Sequence, residues 1–219
     1  MNASGVAAIT ALTKGTAGNV TLKDSVGGGG MVTTGVYGVT VSGTGAAATV
    51  ESGTYNCDTT AVQVENGTAY IKGGTFKTEG TDKSYLLNCV DPAFAAKTAV
   101  IEVTGGTFHG FDPSANPEGA GTTYVKPGYV STNNGDGSYT VSEYKPIEYW
   151  TGFATSNKTD KTFATLDEAM AYAAAQTDAS KRVVIAGEYT LTTDTSIPAV
   201  SYTHLDVYKR QVTSWMCRM

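Results

Sequence analysis

Three stretches of the chain alternate apolar and polar positions in the same way and close on the same residue types. They read Ala48-Thr-Val-Glu-Ser-Gly-Thr-Tyr55, Ala69-Tyr-Ile-Lys-Gly-Gly-Thr-Phe76 and Ile101-Glu-Val-Thr-Gly-Gly-Thr-Phe108. Strict alternation sends successive side chains to opposite faces, so each copy predicts a strand with one buried face. Each then meets a glycine (Gly53, Gly74 or Gly106) that allows a sharp change of direction, followed by a threonine and an aromatic: Tyr55, Phe76 or Phe108. The glycines are 21 and then 32 residues apart. A single such strand cannot bury its own apolar face, but parallel copies stacked in register can. The repeat therefore predicts a solenoid whose structural residues are these glycines and aromatics, the rings stacking from coil to coil. An antiparallel sandwich in which Gly-Thr-aromatic marks turns is the alternative.

Around the repeats the patterning changes. Val6, Ile9 and Leu12 fall at helical spacing, which predicts a short helix lidding the first coil, followed by a strand at Val20-Thr-Leu22. Four glycines at 27–30 predict a loop, and strands are expected near 31–33 and 36–41. An insert at 78–97 carries the apolar Tyr85-Leu-Leu-Asn-Cys-Val90, read as a buried strand, and then Asp91-Pro92, read as a turn. Prolines and glycines replace strand patterning at 111–127, so this is a loop along the flank. Asn133-Asn-Gly-Asp-Gly137 between two short apolar runs predicts a hairpin. Further on, Tyr149, Trp150 and Phe153 form a small aromatic cluster. Thr165-Leu-Asp-Glu168 has the form of a capping box ahead of an alanine-rich helix, with a strand at Val183-Val-Ile185. That order repeats the helix, loop and strand expected at residues 5–22.

The Gly-Gly-Thr-Phe copies, the run from Phe111 to Tyr124 and Gly128-Tyr129 resemble pectate-lyase-like right-handed parallel β-helix repeat proteins, of the surface type found in gut bacteria and their phages. The resemblance covers about residues 5–199. With the repeat, it implies an all-β class: a right-handed parallel β-helix with a short N-terminal capping helix over residues 1–142. A linker at 143–160 and the capping helix and first strand of a second, truncated module at 161–199 would follow. Residues 200–211, Val-Ser-Tyr-Thr-His-Leu-Asp-Val-Tyr-Lys-Arg-Gln, resemble instead a translation of two transposon mosaic ends joined head to head, the mark of a sequencing-library artefact in a metagenomic fragment. Residues 200–219 are accordingly set aside as a non-native tail, and His204, Arg210, Trp215, Cys217 and Arg218 with them.

Composition narrows the function classes. The full chain has 15 Lys and Arg against 20 Asp and Glu, a net charge of −5, and setting the tail aside makes it more acidic. Such a charge offers no attraction to nucleic acid or to an anionic membrane. Its 26 glycines and few charged residues fit a β-rich extracellular or structural protein. No apolar run reaches the length of a bilayer span. The first residues lack the basic start and apolar core of a signal peptide, so an export signal is expected upstream of them. Cys57 and Cys89 follow the similar contexts Tyr-Asn and Leu-Asn. Their spacing equals that of the second and third glycines, which puts them near one another on successive coils, as a buried ladder or a disulfide.

A lyase holds Ca²⁺ against an acidic sugar with carboxylates and takes the proton with an Arg or Lys base. Within residues 1–199 the only arginine is Arg182, outside the repeats, and no Asp-rich coil exists, so none of that family's functional residues carries over. Glu51, Glu65 and Glu102 sit on or beside repeated strands as outward polar positions. Asp91, Asp112 and Glu118 occupy loops and are the candidates for a polar groove, with Tyr124 as its aromatic contact. Asp91-Pro92 and Asp112-Pro113 are also ordinary turn starters. His109 stands alone beside Gly-Thr-Phe, with no zinc-ligand spacing around it. No catalytic group, metal or cofactor is expected. The resulting reading is a non-catalytic, adhesin-like module of a secreted or cell-surface protein, structural or binding a glycan or surface partner. A polysaccharide lyase or glycoside hydrolase whose catalytic part is missing, and a phage tail or decoration protein on a virion, are the alternatives.

Overall fold

Strand pairing, far more than helix formation, satisfies the backbone of this chain. The computed structural model describes residues 2–3, 7–14, 16–25, 31–34, 36–152, 154–178 and 180–185. The first unit, Met1–Tyr144, begins with β1 (Asn2–Ala3), β2 (Ala7–Lys14), β3 (Thr16–Ala17), β4 (Asn19–Leu22) and β5 (Met31–Thr34). The repeated sequence follows in β6 (Tyr37–Val50), β7 (Thr54–Cys57), β8 (Thr60–Ile71) and β9 (Thr75–Thr78). After β10 (Leu87–Cys89) and a short helix α1 (Asp91–Ala95) come β11 (Ala99–Val103), β12 (Gly106–His109), β13 (Tyr129–Asn133) and β14 (Ser138–Glu143).

These strands make two sheets. The first has the order β1-β5-β7-β9-β12-β14-β13, and the second has β10-β8-β6-β2-β3, with β11 also on β8 and β4 on β6. The three sequence copies are parallel neighbours: Ala48 lies opposite Ala69 and Ala69 opposite Ile101 in one sheet, while Thr54, Thr75 and Thr107 line up in the other. Alternation in sequence becomes alternation in burial. Val50, Ile71 and Val103 are fully buried, and so are Val39, Val41, Val62 and Val64. The inward side chains of both sheets form one apolar core.

The glycine pairs act at the bend between copies, and the two members do different things. A Cβ on Gly105 would stand 2.2 Å from the Lys72 carbonyl oxygen, so no side chain fits where one copy's backbone meets the previous one. Gly106 has φ 108°, a conformation that side chains resist. In the first copy Ser52 stands where the later copies have a glycine. There its Oγ accepts from the Asp24 backbone N–H at 2.7 Å, joining the preceding segment through a hydrogen bond.

Three findings overturn the expected class of a uniform all-β, right-handed parallel β-helix. The molecule is mostly β, but its sheets are parallel and mixed. β14 runs antiparallel to β12 and β13 antiparallel to β14, so the first sheet reverses direction at that side. The expected N-terminal capping helix is strand: β2 pairs parallel with β6, from Ala7 opposite Tyr37 to Leu12 opposite Ser42. Residues 5–13 satisfied a helical spacing, but Ile9, Thr10 and Ala11 also satisfy period two. A neighbouring strand that completes the backbone hydrogen bonds outweighs a weak helix preference in so short a run.

The third finding concerns the second unit, from Lys145 onward. It contains β15 (Ile147–Trp150), β16 (Lys158–Phe163), α2 (Leu166–Ala175) and β17 (Arg182–Ile185), with β15 central in an antiparallel three-stranded sheet. Part of the stretch at 143–160, expected as a linker or short connecting strands, is strand. A helix and a strand, α2 and β17, fall within 161–199, whereas the first unit has strand β2 where the matching helix was expected. The capping box is present: Thr165 Oγ1 accepts from the Glu168 N–H, and the Glu168 carboxylate accepts from the Thr165 N–H. Tyr149 packs edge-on against Tyr172 of α2 at 5.2 Å, and its hydroxyl donates to Asp178. On the neighbouring strand position Glu148 accepts from Trp150 Nε1 and pairs with Lys158, whose ammonium holds the carboxyl below its ordinary range. Phe153, the glycines at 27–30 and the tail at 200–219 lie outside the described residues.

Candidate functional site

The repeats leave polar chemistry to two interruptions, the insert at 78–97 and the loop at 110–127. The insert is pinned by β10, whose Leu87, Asn88 and Cys89 pair parallel with Val62, Gln63 and Val64. Asn88 and Gln63 then join side chains across the ladder at 2.9 Å. Asp91-Pro92, expected as a turn, opens α1 instead. Proline fits a first helical turn because the N–H it lacks would have no partner there. The helix closes with Thr98 N–H donating to Ala93 O and Lys97 N–H to Phe94 O, a Schellman pattern with Lys97 in the left-handed region at φ 59°.

Of the four candidate binding residues, Glu118 and Tyr124 meet each other inside the loop, while Asp91 and Asp112 lie apart from them. Asp91 is exposed in the first turn of α1. Glu118 turns inward, where one oxygen accepts from the Cys89 N–H at 3.0 Å and from the Tyr124 hydroxyl at 2.6 Å. Tyr124 is only 2% exposed and lies between Phe111 and Phe94, each 6.5 Å away between ring centroids. Burial, and then the Glu118 contact, raise its phenol far above the usual range, so it stays neutral. Asp112 accepts from the N–H and Oγ of Ser114 at 2.9 and 2.8 Å.

The residues given structural roles lie within the first sheet. Tyr55, Phe76 and Phe108 form a continuous stack with 5.0 Å between successive centroids and ring planes within 11°. Burial pushes the Tyr55 phenol up to about 12, and its hydroxyl donates to the Ser52 carbonyl. Gly53 O accepts from Thr75 N–H and Gly74 O from Thr107 N–H, both at 2.8 Å, so the glycines follow one another along the sheet. The outward glutamates bridge adjacent segments: Glu51 pairs with Lys23, Glu65 accepts from Ser42, and Glu102 pairs with Lys126.

The two cysteines are not bonded. Cys57 stands opposite Thr34 and Thr78 in one sheet, and Cys89 opposite Val64 in the other. Their equal spacing would have made them neighbours only if every copy had one length, and the insert adds β10. Burial, and then the Glu118 charge, push the Cys89 thiol up to about 12, which keeps it protonated and a poor nucleophile at neutral pH. His109 is exposed beside the hairpin tip, which is a turn at 133–137 as its glycines predict.

Two residues that the sequence reading passed over, Asp82 and Asn116, meet Asp112 at a hollow of about 480 Å³ between residues 81–84 and 110–117. The loops approach closely here: a Cβ on Gly110 would stand 3.0 Å from Lys83 Cγ, and Lys83 Nζ donates to the Thr78 carbonyl. Asp82 accepts from the Ser84 N–H at 2.8 Å, which lowers its pKa. The sequence did carry a signal. Asp82-Lys-Ser84, Asp112-Pro-Ser114 and Asp136-Gly-Ser138 share one spacing, and all three form the same turn, in which the carboxylate accepts from a backbone two residues on. Asn116 is 7% exposed; its Oδ1 accepts from Glu118 N–H and Thr122 Oγ1, while its Nδ2 has no partner among the described residues.

Among the described residues no three His, Cys, Asp or Glu side chains gather as metal ligands, and no helix is long and apolar enough to cross a membrane. Comparison with family models, curated proteins and solved structures finds no match. The pectate-lyase-like resemblance and the mosaic-end reading of residues 200–211 therefore rest on the residues quoted for them.

Proposed function

We propose that this chain is a non-catalytic, display-type module of an extracellular or cell-surface protein, whose sheets hold irregular loops out toward a glycan or another surface partner. The observation that supports it best is the use made of the loop carboxylates. Glu118 ties the 110–127 loop to Cys89 and braces it internally through Tyr124, and Asp82, Asp112 and Asp136 each close a turn on a serine. A general acid, base or nucleophile needs a carboxyl free to meet a substrate, whereas these groups fix loop shape. The net charge of −5 favours a neutral or basic partner over an anionic one.

The test is to incubate the purified chain with a panel of neutral and acidic polysaccharides and to look for both retention and products. Retention of one or more glycans with every chain length unchanged is the expected result. New reducing ends or unsaturated uronates would instead make it a glycan-cleaving enzyme and end this reading.

A further inference from the structure

We propose that β13 is a pairing edge, at which two copies of this chain join their first sheets strand to strand across a two-fold axis. The proposal goes beyond the display reading and does not depend on it. β13 ends the first sheet, and no described strand lies on its other side. Which of its backbone groups face that open side follows from the bonds at its two ends. Tyr144 N–H donates to Gly128 O and Asn134 N–H to Ser138 O, so in this antiparallel pair the even-numbered residues from 128 to 134 bond to β14. The N–H and C=O groups of Tyr129, Ser131 and Asn133 therefore point to the open side. Tyr129 N–H turns back to Lys126 O, which leaves a row of donors and acceptors centred on Ser131.

Open sheet edges are ordinarily blunted by charge, proline or brevity. The other described edges follow that rule. β16 carries Lys158, Asp160 and Lys161, β11 carries Glu102 and has Val103 bonded to Tyr124 and Lys126, β17 opens on Arg182, and β1, β3, β4 and β10 are shorter. β13 is Tyr-Val-Ser-Thr-Asn, 5 residues with no charge and no proline, and its Val130 is 38% exposed. The symmetry of the edge selects its occupant. Ser131 is both the middle residue and one that faces the open side, so an antiparallel second copy meets it in register. Each Ser131 N–H then donates to the other copy's Ser131 C=O, and each Asn133 N–H to the other copy's Tyr129 C=O. Val130 packs beside the second copy's Thr132 and is covered. The flanks agree with that direction. Lys126 precedes the strand and Asp136 follows it, so antiparallel copies bring opposite charges together at both ends, whereas parallel copies would set lysine beside lysine.

An edge of 5 residues makes a small interface, so the pair is weak, with an expected dissociation constant on the order of 100 µM. The test is sedimentation equilibrium of the full chain over a range of concentrations, with amide exchange followed by NMR at the lowest and the highest. A reversible equilibrium between monomer and dimer is expected. Exchange should slow at Ser131 and Asn133 in the concentrated sample and stay the same at Val130 and Thr132, which β14 already holds. Ser131→Pro removes the central donor, whose N–H faces away from β14, and is expected to abolish the dimer. Val130→Lys puts a charge on the edge and is expected to weaken the dimer about tenfold or more. It carries the test if the first variant does not fold. A chain that stays monomeric up to about 1 mM overturns the proposal. So does a dimer that neither variant weakens, or one whose protection appears elsewhere than Ser131 and Asn133. Assemblies that grow past two copies overturn it as well, since pairing uses up the β13 edge of each.

Discussion

The ring stack of Tyr55, Phe76 and Phe108 and the loop at 110–127 belong to one unit, yet different physics holds them. In the stack each contact resembles the next: a ring on a ring at 5.0 Å, a carbonyl to an N–H one copy on, and an aliphatic side chain buried beside its counterpart. Stability there is spread over many near-equivalent contacts and follows apolar area. In the loop each contact occurs once. Glu118 reaches Cys89 and Tyr124, Asn116 holds Glu118 and Thr122, and Asp112 closes on Ser114. Regular regions absorb small changes by sharing them; a loop of single contacts fails wherever a contact is lost, and the same economy of contacts leaves groups such as Asn116 Nδ2 unanswered.

The sharpest challenge to this contrast is Phe76→Ala, which removes the middle ring and is expected to cost about 3–5 kcal/mol in denaturant unfolding. A cost near that of a surface change would mean the stack is not what holds the copies together. Gly105→Ala forces a Cβ against the Lys72 carbonyl and is expected to destabilise by about 2–3 kcal/mol by the same measurement. On the loop side, Glu118→Ala strands the Cys89 N–H and the Tyr124 hydroxyl, for an expected loss of about 2 kcal/mol. Amide exchange should rise at 110–127 and hold steady along β7 and β9. Lys97→Gly relieves a left-handed lysine at the end of α1 and should raise stability by about 0.5–1 kcal/mol, read as a higher melting temperature.

The smallest effect is on acid unfolding. Asp82 and Asp136 have pKa values lowered from 3.8, the first mainly by the Ser84 backbone bond and the second mainly by the Ser138 hydroxyl. Folded values below the unfolded one mean the unfolded chain takes up protons first as pH drops. Their contribution is complete above the unfolded value and is lost as pH falls through the folded one. Unfolding curves measured from neutral pH down should lose part of their acid slope in the Asp82→Asn, Asp136→Asn double variant, which is expected to be slightly less stable than the parent at pH 7 and to match it once both carboxyls are protonated.

Much of the regular region was legible in sequence because alternation and glycine placement are local properties. Tyr55, Phe76 and Phe108 could be placed on one side of their strands, and Thr165 to Glu168 could be assigned as a cap, without a partner in view. The hollow was less legible. Asp112 was singled out, but Asp82 and Asn116 were not, because they come from two separate segments brought together when β10 anchors the insert on β8. Asp91 and Glu118 looked equivalent to Asp112 as loop carboxylates. One ended on a helix and the other on a buried phenol, a difference of direction that residue type does not carry.

The sequence by itself determined which residues are apolar on alternate positions, where the chain bends, and which faces must be hidden. Tertiary structure decided what hides them: that residues 7–14 add a strand where a helix was equally patterned, that the first sheet turns antiparallel at β14, and that the second unit closes on three antiparallel strands under a helix. The reason is that every residue but proline offers the same backbone donor and acceptor. Side-chain pattern can therefore specify a strand's buried face, while the identity and direction of the strand beside it are settled only when distant segments compete for that edge.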